Sequence, residues 1–195
     1  MNNTTLSYAA MAMTLATLPA HAQAPSLLAY DLNATVNGTA IVTEVVDPNG
    51  PVLRFVTQTT GSGSFAGLGL AITGYTSTDV VNMGTGAGSG TNVFIADNGD
   101  QLFGSFTVQA APTGTPGSLT LQGLTTFSGG TGLFAGATGS AAFTGSGSFI
   151  SQTQALVNFV HSGSVAVVPE PASGALLAGG LAAMAAAARR RRREA

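Results

Sequence analysis

Between residues 23 and 168 the chain alternates Thr, Val, Ile and Phe with Gly, Ser and Asn, and no window sustains a helical apolar period for three turns. Period-two alternation places successive side chains on opposite faces of a strand, so the expected class is all-β, with antiparallel strands joined by tight turns. Ten strand candidates stand out: residues 27–36, 39–46, 52–59, 64–73, 76–83, 92–96, 101–109, 118–127, 140–150 and 153–164. Residues 84–90 (GTGAGSG) read as a flexible loop. Two turns are well marked, DPNGP at 47–51 and ADNGD at 96–100, because Asn-Gly tolerates the backbone of a tight hairpin. TGSGSF occurs at 60–65 and again at 144–149, but in so Gly-rich a chain this does not establish a repeat.

All ten Phe lie between Phe55 and Phe159, which supplies apolar material for a core. Charge is scarce. Of six basic residues, five are the run Arg189, Arg190, Arg191, Arg192 and Arg193, leaving Arg54 alone in residues 23–168 against six acidic side chains. A body of net charge −5 cannot neutralise a phosphate backbone, which excludes nucleic acid as its partner. The chain has no Cys, so disulfides, thiolate catalysis, Cys-ligated zinc and iron–sulfur clusters are excluded as well.

Both ends read as addresses. The first charged side chain is Asp31; before it come an apolar run at 6–18, Pro19, and small residues at Ala20 and Ala22. That order is expected of a secretory signal peptide, residues 1–22, with Ala20 and Ala22 recognised by signal peptidase and the cut after Ala22. A cut after Ala24 would place Pro25 directly beyond the scissile bond, where its ring and missing N–H hinder cleavage. At the far end, residues 172–188 contain no charge and end in the Arg cluster. As a helix this stretch would span about 25 Å, the short limit for a membrane crossing. The five arginines would hold its far flank in the cytoplasm.

Immediately before that stretch stand Pro169, Glu170 and Pro171. A Pro-Glu-Pro motif, an apolar segment and a terminal Arg cluster, in this order and with a secretory signal upstream, resemble the PEP-CTERM sorting signal. The resemblance covers about the last 27 residues (169–195). It implies recognition by an exosortase, a membrane-embedded cysteine transpeptidase-like enzyme of Gram-negative-type bacteria, and a cut near Pro169, Glu170 and Pro171. Two prolines would keep that backbone extended and accessible outside the bilayer. The chain would be the substrate, and catalysis would belong to its partner.

A second resemblance lies in the body. GDQLFGSFTV at 99–108 and SLTLQGLTTFSGGTGLFAGATGSAAFTGSGSF at 118–149 look like the allene oxide cyclase and dirigent barrel superfamily. The shared features are Gly129, Gly130, Gly132 and Phe134 in Gly-Gly-Thr-Gly-x-Phe, then Ala137, then Gly139 before the next strand. The resemblance implies a calycin-like closed barrel of eight antiparallel strands, with Phe134 plugging one end, so that some of the ten candidates must merge. A β-sandwich remains the alternative.

Chemistry is hard to find in the body. Its only His is His161, in the alternating run ALVNFVHSGSV, without a nearby acid or nucleophile pattern. No Gly-x-Ser-x-Gly elbow is present, and ADNGD lacks the Asp/Asn ladder and closing Glu of a calcium loop. Nothing in the sequence brings Asp31 and Glu44 together as acid and base, and Arg54 is expected to pair with a neighbouring carboxylate. No catalytic position of the cyclase or dirigent enzymes maps onto the chain. The expectation is therefore an exported, non-enzymatic β-protein of residues 23–168, with no cofactor and no metal. Its expected partners are signal peptidase and the secretion machinery, an exosortase, the membrane through helix 172–188, and extracellular polysaccharide. Its expected location is transiently the inner membrane, then the cell surface or extracellular matrix. The rivals are a barrel holding a small apolar ligand, which requires a cavity of about 300 Å³ or more, and a cyclase- or dirigent-like enzyme, which requires polar groups converging inside.

Overall fold

The computed structural model describes residues 27–47, 49–168, 180–182 and 184. The expected signal peptide with Ala20 and Ala22, the motif Pro169, Glu170 and Pro171, and the arginines 189–193 lie outside the described residues. So does most of the expected membrane helix 172–188, and among the described residues no helix is long and apolar enough to cross a membrane.

Eight strands form the body: β1 (Leu28–Asp47), β2 (Val52–Phe65), β3 (Leu70–Asn82), β4 (Ala87–Ala96), β5 (Gln101–Pro112), β6 (Ser118–Gly130), β7 (Thr138–Phe149) and β8 (Gln154–Val167). Each pairs antiparallel with its neighbour in sequence, and β1 returns to β8, from Leu28 opposite Val167 to Ile41 opposite Gln154. The ring is closed, so no strand edge is left to template aggregation. The barrel expectation holds and the sandwich does not.

Ten candidates become eight for two local reasons. Asn37 and Gly38 do not turn the chain: they stay in β1, paired to Thr60 and Thr59 on one side and to Asn158 and Val157 on the other. The candidate at 64–73 is divided by the turn 66–69, its halves closing β2 and opening β3. The expected loop at 84–90 is also shorter than expected, because Gly88, Ser89 and Gly90 already pair with Val81, Val80 and Asp79 on β3.

The interior explains the glycines. A small barrel cannot seat a large side chain at every inward position, so large and small must alternate around the ring. Across neighbouring strands the aromatic rings face glycines: Phe106 opposite Gly90, Phe127 opposite Gly104 and Gly139, Phe143 opposite Gly123, and Phe159 opposite Gly145. A Cβ on Gly123 would collide with the ring of Phe143 and the carbonyl of Thr107.

Odd strands run toward one end of the barrel and even strands toward the other, so both ends of the ring, Leu28 and Val167, lie at the same end. That end is closed. Phe134 sits on a 3-10 turn (Gly132–Phe134) between β6 and β7, is fully buried, and packs on Phe65 with ring centroids 4.7 Å apart. Leu32, Ile72, Leu102 and Val165 belong to the same cluster. The two TGSGSF segments end at opposite ends of the barrel, with Phe65 in this cluster and Phe149 against the other one, so they are not equivalent positions of a repeat.

Asp100 fastens the plug. Its Oδ2 accepts hydrogen bonds from the N–H of Leu133 (3.0 Å) and from Nδ2 of Asn98 (2.8 Å). Gln101 N–H donates to Thr131 Oγ1 (2.9 Å), and Thr131 N–H donates back to the Gln101 carbonyl (2.8 Å). The ADNGD turn thus binds the β6–β7 connection. Gly132 allows the close approach, since its φ of 53° is unfavourable for other residues and a Cβ there would collide with the Asp100 carboxylate. Gly130 pairs with Leu102 beneath Phe134, while Gly129 and Gly139 take φ of 124° and 142° on either side of the connection.

Candidate functional site in the barrel lumen

The half of the barrel away from Phe134 contains a cavity of about 70 Å³. One wall is apolar, with Phe106, Phe143, Phe149 and Phe159; the other carries Thr57 from β2 and Tyr75, Ser77 and Asp79 from β3. His161 on β8 forms part of the lining. The cavity lies toward the end formed by residues 49–51, 83–86, 113–117 and 150–153, opposite to the end from which the chain leaves β8. A wider, solvent-open depression of about 590 Å³ at that same end passes Asn37, Ser118, Ser146 and Asn158 and holds no titratable side chain.

His161 is 1% exposed and enclosed by rings: Phe143 at 5.0 Å, Phe94 at 5.1 Å edge-on, Tyr75 at 5.7 Å and Phe159 at 6.2 Å between centroids. Neither Nδ1 nor Nε2 has a hydrogen-bond partner among the described residues. Burial disfavours the imidazolium and pulls its pKa down to about 4, so the ring is neutral at pH 7 and offers one donor and one acceptor. Burial likewise pushes the Asp79 carboxyl up to about 7. The Tyr75 hydroxyl is pushed up to about 12, mainly by burial, against hydrogen bonds with Asn92 and Ser77 that act in the other direction. Asn92 Nδ2 donates to Tyr75 Oη (3.3 Å) and to Thr125 Oγ1 (3.1 Å), which ties β4 to β3 and β6 beneath the cavity.

Nothing in the order of residues groups these side chains. The signal was the parity of β3, where Tyr75, Ser77, Asp79 and Val81 alternate inward, but a register shift between Ile72 and Gly74 moves the inward face by one residue. Counting in twos from buried Ile72 puts Tyr75 and Asp79 outside. His161 keeps the regular alternation of β8; Phe159 shares its strand, Phe143 faces it from β7, and Tyr75 and Phe94 reach it from β3 and β4 across the ring.

Other candidates are placed elsewhere. Arg54 Nε pairs with Glu44 Oε2 at 2.8 Å on the exposed surface, as expected. Asp31 and Glu44 lie 13 residues apart on one strand, roughly 40 Å, and do not meet. Asp97 and Asp100 lie in a hairpin turn, where Asp100 holds the Leu133 N–H, and among the described residues no three His, Cys, Asp or Glu side chains form a metal cluster. The cavity falls well short of the 300 Å³ expected of the apolar-ligand rival, and its lining is mixed, with polar groups facing it from β2, β3 and β8.

Residues 167–193 match the family model of the PEP-CTERM protein-sorting motif. The chain carries a PEP-CTERM sorting signal. That signal implies export and membrane-associated processing, with an exosortase as the processing partner. It begins at Val167, the last residue of β8. No curated protein and no solved structure matches the chain, and the resemblance of the body to allene oxide cyclase and dirigent proteins is not confirmed.

Proposed function

We propose that this protein is a non-enzymatic cargo of the PEP-CTERM sorting pathway, an exported barrel delivered to the cell surface or extracellular matrix. The observation that carries the reading is the junction at Val167, where the closed ring ends and the matched sorting motif begins. A cut at Pro169, Glu170 or Pro171 would leave every strand and every ladder of the barrel intact, whereas a cut within β8 would open the ring.

In this reading signal peptidase removes residues 1–22, and the segment 172–188 holds the chain in the inner membrane with Arg189 to Arg193 on the cytoplasmic side. An exosortase then separates the tail from the body, residues 23–168. The outer faces of β7 and β8 carry no charge: Ser140, Thr144, Ser146, Asn158 and Ser162 lie there together with the exposed apolar Leu156 and Val160, which is compatible with a polysaccharide surrounding.

The test is fractionation of cells that express the chain with and without an exosortase. The wild type should leave the membrane fraction only when exosortase is present, and the triple replacement of Pro169, Glu170 and Pro171 by Ala should stay there in both strains. Equal release of the two proteins would overturn the reading.

A further inference from the structure

We propose that the closed end of the barrel rests on the bilayer that holds the tail, with the lip around Leu27 and Leu28 seated in its headgroup layer. The inference rests on the reading above in which residues 172–188 anchor the chain.

The tether sets the orientation. Between Val167, the last residue of β8, and Ala172, where the uncharged apolar segment begins, stand only residues 168–171. Fully extended, they span at most about 14 Å, whereas strands of this length, tilted as in a small barrel, make it roughly 30 Å tall. Val168 also stays close to the β6–β7 connection, since a Cβ on Gly136 would lie 3.6 Å from its Cγ2. The chain leaves from the closed end, so that end meets the membrane and the cavity end points away.

The lip supplies the contact. β1 runs past its last ladder partner on β2, Leu32 opposite Phe65, so that Leu28, Ala29 and Tyr30 are paired only to β8, with Leu28 opposite Val167 beside the exit of the chain. Side chains there project beyond the ring: Leu27 is 50% and Leu28 48% exposed, while half-buried Tyr30 packs on the closed-end cluster. Leucines gain by leaving water, and a tyrosine ring suits the headgroup level. Among the described residues this end carries Asp31, Asp97 and Asp100 and no cation. The contact therefore comes from apolar burial and not from attraction to anionic lipid.

The test uses the mature chain, beginning at Gln23 and purified with its tail from an exporting host without exosortase, in phosphatidylcholine vesicles. Because the chain has no Cys, a single Ala29→Cys or Thr115→Cys carries an environment-sensitive fluorophore at the lip or at the far end. On reconstitution the emission at position 29 is expected to shift to the blue and to be quenched by a headgroup-labelled quencher lipid; at position 115 neither should occur. The shift should persist in about 1 M salt, where charges are screened beyond about 3 Å. Inserting about ten Gly and Ser residues after Val168 frees the tether, and the shift at 29 should survive this. Leu27→Ser with Leu28→Ser in the lengthened chain should abolish the shift while the protein still floats with the vesicles. The proposal is overturned by an unshifted label at 29, by equal signals at 29 and 115, by loss of the shift in salt or on lengthening the tether, or by its survival in the serine variant. A shift that disappears when the protein is diluted in lipid would make a second copy the occupant, and one that requires added exosortase would make it the enzyme; either overturns the proposal. A chain that does not float overturns the anchoring reading as well, which flotation alone reveals. If the serine variant fails to fold, the lengthened tether, which changes no barrel residue, still decides.

Discussion

The two ends of the barrel are built from the same strands yet differ in how they are filled. At the closed end Phe134 and Phe65 meet ring to ring, and Asp100 ties the connecting turn down. At the other end, the Phe rings line a cavity that also receives Tyr75, Asp79 and His161. The closed end carries its polar groups at the surface, where they serve the turn. The open half takes them inside, where burial shifts their pKa values. Stability should therefore reside in the first, and pH response in the second.

Phe134→Ala should be the largest blow to this arrangement. Emptying a fully buried aromatic site costs about 3–5 kcal/mol, whereas Phe149→Ala at the partly exposed rim should cost about 1–2 kcal/mol. Denaturant unfolding of the two variants checks this, and equal losses would mean that the ends do not differ in packing.

Gly123→Ala probes the ring-over-glycine packing of the open half. Its new methyl would press on Phe143 and the Thr107 carbonyl, and the expected loss is about 1–3 kcal/mol in the same assay. Asp100→Ala should cost about 1–2 kcal/mol by removing the acceptor of the Leu133 N–H. Hydrogen exchange should then rise at Leu133 and Phe134 more than in β3 or β8.

The pH response of the lumen has two opposed parts. Asp79 ionises near the ordinary value of 3.8 when unfolded and near 7 when folded, so between about pH 4 and 7 the folded state holds the extra proton and stability falls as pH rises. His161 is the reverse: its folded value near 4 lies below the ordinary 6.5, so stability rises with pH across that window. The wild type should show the two contributions largely cancelling between pH 4.5 and 6.5, in the sense that removing either exposes the other. Relative to wild type, His161→Leu should tilt the stability profile downward with rising pH and Asp79→Asn should tilt it upward, each by at most about 1.4 kcal/mol per pH unit. Unfolding at several pH values measures both, and tilts of the same sign would contradict the assignment. The smallest effect is expected for Arg54→Ala, about 0–1 kcal/mol, because its ion pair with Glu44 is exposed.

Strand content was legible in the sequence because alternation survives along most of the chain, and the Gly/Phe richness has a local meaning in rings that cover glycines. Closure was not visible in the alternation, since it depends on pairing β1 with β8 across more than a hundred residues, and only the resemblance of the Gly129-to-Gly139 segment pointed there. The gap at Asn37 and Gly38 between the first two strand candidates closes because both residues have partners on each side in the closed ring. The cavity was the least legible part. One register shift after Ile72 reverses which β3 residues face inward, and that reversal decides whether Asp79 shares a space with His161. The sorting signal was the most legible element because its order of residues is read along the chain and needs no fold.

The intact mass of the product recovered from exosortase-bearing cells tests the account most directly. It predicts a species that starts at Gln23 and ends between Val168 and Pro171, carrying all eight strands, and its absence from cells without the exosortase. A full-length mass in both strains, or an end inside β8, would contradict it.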